Sequence, residues 1–73
     1  MSCINPDGKP TKSGKKMLLA LKSGLGFPEK ISQDTDLPLF RVRSGLREFI
    51  IAGLAIQEND SYKITDKGAE LIA

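Results

Sequence analysis

Histidine is absent from the 73 residues, and cysteine occurs once, as Cys3. Those two gaps remove most metal-ligand sets and most nucleophile–base arrangements, because His and Cys supply the usual ligands, nucleophiles and bases. A single cysteine cannot close a disulfide within the chain and fits a reducing setting better than a secreted one. No role is assigned to it. The carboxylates are not paired near a recognisable site motif, and Gly24-Leu25-Gly26 is too short for a phosphate loop and lacks the following Lys-Ser/Thr. No catalytic residue, metal ligand or cofactor site is therefore expected, and no enzyme. Long apolar runs are missing too. The longest falls far short of the roughly 20 residues a membrane span requires, and the first residues are polar, unlike a signal peptide. The expectation is a soluble, cytoplasmic protein without a membrane partner.

What is present is a modest positive balance, 11 Lys and Arg against 9 Asp and Glu. A net charge of +2 does not by itself announce a nucleic-acid partner, but its distribution is uneven. Lys9, Lys12, Lys15, Lys16, Lys22 and Lys30 occupy the first part, Arg41, Arg43 and Arg47 gather later, and acids dominate around Glu58 and Asp60. The length suffices for one domain, and a domain of this size buries only about 60% of the surface its unfolded chain exposes.

Residues 1–10 contain Asn5-Pro6-Asp7-Gly8, a turn-type cluster, and read as a flexible tail ahead of a domain spanning 11–73. Thr11 to Ser23 reads as a helix, with Thr11 or Ser13 as cap, Met17, Leu18 and Leu21 as apolar stripe, and Gly24 as stop. Its lysines form, by default, a solvated face. Pro28-Glu29 opens a short helix to about Asp34 with Ile31 inside, since proline suits the first helical turn and a carboxylate favours the positive end of the dipole. Asp36 is expected to cap a third helix over about 37–52.

On a wheel of about 100° per residue, that third helix sends Leu39, Val42, Leu46, Phe49 and Ile50 to the core. Phe40, Ser44, Glu48 and Ile51 point the other way, flanked by Arg43 and Arg47 on one side and Arg41 on the other. Gly45, mid-helix, leaves room for a close neighbour, and Gly53 ends the helix. From Leu54 the period changes: Leu54, Ile56 and then Tyr62, Ile64 alternate with polar residues around Asn59-Asp60, the pattern of a hairpin. Thr65 caps a last short helix holding Ala69, Leu71 and Ile72.

Helix, short helix, tight turn, longer helix and hairpin is the order of the winged helix-turn-helix superfamily, and particular residues strengthen the likeness. Leu46-Arg47-Glu48-Phe49 followed by Ala52-Gly53-Leu54 is similar to the ending of its recognition helices. Tyr62-Lys63-Ile64-Thr65-Asp66-Lys67-Gly68 resembles its strand-to-helix exit from the wing, and Pro28-Glu29-Lys30-Ile31 resembles the helix that precedes the turn. The resemblance covers about Thr11 to Ala73. It implies an α+β, mostly helical domain: a three-helix winged helix-turn-helix with a two-stranded β-hairpin wing and a short C-terminal helix.

In that superfamily the third helix enters the major groove of double-stranded DNA. Carried over, the contacts fall to Phe40, Arg41, Arg43, Ser44 and Arg47, with Lys12, Lys15 and Lys16 adding attraction to phosphate. Arginine suits guanine or phosphate, serine suits base or backbone, and the helix N-terminus attracts phosphate. The implied function is a transcriptional regulator or accessory chromosomal protein, nucleoid-associated, acting as a monomer or weak homodimer. Two other readings of the same residues stay open. The arginines are simply solvated or paired with Glu48 and nearby acids, or else Phe40 and Ile51, ringed by arginines, form the apolar centre of a protein–protein interface. The acidic hairpin tip, Glu58 to Ser61, agrees better with a protein partner than with phosphate.

Overall fold

Thr11 accepts the amide of Gly14 at 3.2 Å and so starts the first helix, α1 (Lys12–Lys22), by satisfying one of the amides that a helix start leaves unpaired. A computed structural model of the chain describes residues 4–72; Cys3 lies outside the described residues. Met17, Leu18, Ala20 and Leu21 bury one stripe of α1, and Gly24 ends it at φ 98°. The Gly24 amide donates to the Leu21 carbonyl and the Leu25 amide to that of Ala20. This paired closure needs a left-handed residue, which glycine adopts without a Cβ penalty.

Pro28 opens α2 (Pro28–Thr35), which buries Ile31 and Thr35. The Thr35 hydroxyl donates to the Ile31 carbonyl at 2.6 Å, and Ser32 donates to the Leu37 carbonyl at 2.5 Å. Asp36 does not cap the next helix, contrary to expectation. It closes α2 in the left-handed conformation, φ 60°, which short polar side chains tolerate best after glycine. Pro38 explains the displacement. A residue before proline is disfavoured from helical geometry, so Leu37 cannot begin a helix. α3 (Leu39–Ile51) therefore starts after Pro38, with no side-chain cap. It buries Val42, Gly45, Leu46 and Phe49, and Gly53 (φ 78°) repeats the closure of α1, its amide donating to the Ile50 carbonyl and the Leu54 amide to that of Phe49.

The wing is β1 (Ala55–Glu58) paired antiparallel with β2 (Ser61–Ile64), Ala55 opposite Ile64 and Glu58 opposite Ser61. Asn59 turns the corner at φ 56°. Leu54 and Ala55 are buried, whereas Ile56 is 47% exposed. Leu54 precedes the strand, so the period-2 alternation starts at Ala55 and turns Ile56 outward. Tyr62 donates its amide to the Gly26 carbonyl at 2.8 Å, which ties the loop before α2 to the wing.

Thr65 caps α4 (Asp66–Leu71) by accepting the Gly68 amide, and its hydroxyl donates to the Gly53 carbonyl at 2.7 Å. One side chain thus joins the start of α4 to the end of α3. The stretch expected as a tail closes, over its described part, into a turn. Ile4 bridges Pro10, the Asn5 amide donates to the Lys9 carbonyl at 2.7 Å, and Ile4 packs against the core. The described residues form an α+β fold of four helices with a hairpin after the third, the layout of a small winged-helix-like domain. No helix among the described residues is long and apolar enough to cross a membrane.

Candidate nucleic-acid interface

The solvent face of α3 follows from its core face. With Val42, Gly45, Leu46 and Phe49 buried, the opposite side of the helix presents Phe40, Arg43, Ser44, Arg47 and Ile51. Phe40 is 73% exposed and Ile51 82%. Ile50, expected in the core, is 38% exposed. It sits on the boundary between the two faces, and the side next to it is open. Leu39 is only half-buried.

Arg41 separates from the other arginines. It lies two positions before Arg43, about 200° round the helix, and is half-buried on the flank shared with Glu48. The structure brings together Phe40, Arg43, Ser44 and Arg47, and leaves Arg41 aside. The lysines are elsewhere too. Lys12, Lys15 and Lys16 form the exposed stripe of α1, and Lys15 lines a separate hollow with Asp7, Lys9 and Glu70. None of the three lines the cleft beside α3.

That cleft, about 620 Å³, runs between α3, the start of α2 and the wing. Phe27 and Glu29 come from the entry to α2, Arg43, Arg47 and Ile50 from α3, and Gln57, Asp60 and Tyr62 from the hairpin. Arg43 stands 3.9 Å from Glu29, with both side chains more than half exposed. A pair this open contributes at most about 1 kcal/mol and yields readily to a competing anion. Arg47 makes no ion pair among the described residues; a second pair there joins Lys63 to Glu58 within the wing.

Electrostatics at the head of α3 also suits an anion. Its first turn holds no acidic residue and its start has no side-chain cap, so no side chain of that turn neutralises the positive end of the dipole, although the Arg41 amide is taken by the Pro38 carbonyl. Glu29 and Asp60 are the neighbours that the sequence alone did not bring to this site. Glu29 read as a helix-dipole carboxylate and Asp60 as part of the acidic hairpin tip. Only the order of elements, which sets the second helix and the wing on either side of the third, pointed to them. Among the described residues no group of three or more His, Cys, Asp or Glu is placed to hold a metal ion. No protein-family model matches the chain, and neither a curated protein nor a solved structure matches it.

Proposed function

We propose that the protein binds double-stranded DNA, with α3 in the major groove, as a small transcriptional regulator or accessory chromosomal protein. The observation that carries this reading is the shared exposed face of Arg43, Ser44 and Arg47 on the third helix of a winged-helix-like layout. Arg43 and Arg47 are one helical turn apart, so both reach the same stretch of groove. Phe40 contacts base edges or sugar from the first turn. Arg41, on the flank, meets backbone phosphate rather than bases. Lys12, Lys15 and Lys16 add only long-range attraction from another face. This reading places the protein in the cytoplasm, on the nucleoid when bound.

The test is a duplex titration by fluorescence anisotropy across a salt series. Arg43→Ala with Arg47→Ala is expected to weaken binding by about 30-fold or more. The salt dependence is expected to flatten as two cations leave the groove, by at most about one unit of slope for each. Affinity and slope both unchanged would sink the assignment of this surface.

A second reading, a protein-interaction module, is favoured by the exposure of Phe40 and Ile51. Their placement narrows it. They lie eleven residues apart on α3, about 16 Å along the axis, with Ser44 and Arg47 between them. They are two apolar ends and not the single apolar centre that the sequence alone suggested.

A further inference from the structure

Arg43 and Arg47 share a face of α3 but not the same neighbours. Arg43 Nη2 stands 3.9 Å from Glu29 Oε1, while Arg47 makes no ion pair among the described residues. Glu29 does not sit on a loose segment. It is the second residue of α2, two before the wholly buried Ile31, and the Gly26 carbonyl three residues earlier is held by the Tyr62 amide at 2.8 Å. The backbone is thus fixed on both sides of the carboxylate. Its partner stays usable. A contact of 3.9 Å through one nitrogen is too long for a hydrogen bond, so the donors of the guanidinium remain free for a flat acceptor.

A carboxylate at that distance sorts by charge the acceptors that Arg43 can take. A phosphate brings a second negative charge beside Glu29 and is penalised. The O6 and N7 edge of guanine is neutral, takes a guanidinium bidentately and carries no such penalty. Arg47, with no carboxylate paired to it, meets phosphate without that cost. Asp60 lines the same cleft from the wing but forms no ion pair with either arginine, so it adds negative charge there and positions neither.

We infer that, given α3 in the major groove as proposed above, Glu29 is a positioning residue that sets Arg43 for a guanine edge and leaves phosphate to Arg47. Arg43 then specifies and Arg47 anchors.

The experiment takes the full chain through rounds of selection from a pool of random-sequence duplex, with affinity for the unselected pool measured by fluorescence anisotropy. The parent is expected to prefer guanine over adenine at one position by about 5-fold or more. Arg43→Ala loses that preference, whereas Arg47→Ala weakens every duplex alike and keeps it. Glu29→Gln is expected to bind the unselected pool about 3-fold more tightly and to lower the guanine preference about 3-fold. Asp60→Asn, which removes the same charge from the cleft, keeps the preference. The gain in affinity separates this role from a structural one, since a loosened α2 would weaken binding to every duplex. In the Arg43→Ala background, Glu29→Gln is expected to leave the selection unaltered. A guanine preference untouched by Glu29→Gln, or relaxed equally by Asp60→Asn, overturns the role of Glu29 while the DNA reading stands on the binding itself. A parent chain that binds no duplex at low salt overturns both.

Discussion

Phe49→Ala is expected to cost about 3–5 kcal/mol of stability, while Phe40→Ala, nine positions earlier in the same helix, changes it by no more than about 0.5 kcal/mol. Phe49 is wholly buried and the largest of the fully buried side chains. Its truncation loses the transfer energy of the ring and leaves a cavity among Leu46, Leu54 and their neighbours in the core. A domain of this length has about 4–11 kcal/mol in total, at about 0.05–0.15 kcal/mol per residue. The loss therefore takes a large share of it, and a melting temperature falling by about 12 °C or more is expected at about 4–8 °C per kcal/mol. Thermal melts followed by far-UV circular dichroism compare the two variants directly. Similar melting points for both would mean that the two faces of α3 have been exchanged.

Gly68→Ala is expected to destabilise by about 2–3 kcal/mol, opposite in sign to what helix propensity dictates. In α4, with an ordinary helical backbone, alanine should gain about 1 kcal/mol over glycine. Here a Cβ would press into the backbone carbonyl of Leu54 and come within 2.9 Å of Cγ1 of Ile64. A backbone carbonyl cannot swing aside like the end of a long side chain. Leu54 is further held because its carbonyl accepts the Thr65 amide at 3.0 Å. Gly53 is the useful contrast: a Cβ there meets open space, so alanine pays only for the left-handed φ, about 1–2 kcal/mol. Urea denaturation of the two variants is the check, and a Gly68→Ala chain more stable than the parent would contradict the packing of α4 on the end of α3.

These two sites also mark where sequence reasoning succeeds and where it stops. Phe49 was legible because helical periodicity is local, as were the caps Thr11 and Thr65, the proline at the start of α2, and the glycine closures at Gly24 and Gly53. Each depends on residues within one turn. The misreadings arose at boundaries. Asp36 looked like an N-cap because Asp often is one, but Pro38 two residues later denies Leu37 a helical backbone. Ile56 is more apolar than Ala55 and yet faces outward, because strand phase and not hydropathy decides which side faces in. At the candidate site, the helical wheel already set Arg43 and Arg47 on one side and Arg41 on the other, and the structure keeps that division. A step of two positions from Arg41 to Arg43 turns one arginine to the far side of the other. The meeting of Arg43 with Glu29, fourteen positions apart, depends on how α2 packs on α3.

The central claim, that the exposed face of α3 binds DNA, is tested most directly by titrating duplex into ¹⁵N-labelled protein at low and high salt, read residue by residue. The account predicts shifts concentrated on Phe40, Arg43, Ser44 and Arg47 and at the start of α3, shrinking steeply as salt rises. Shifts confined to the lysine face of α1, or none at low salt, would contradict it.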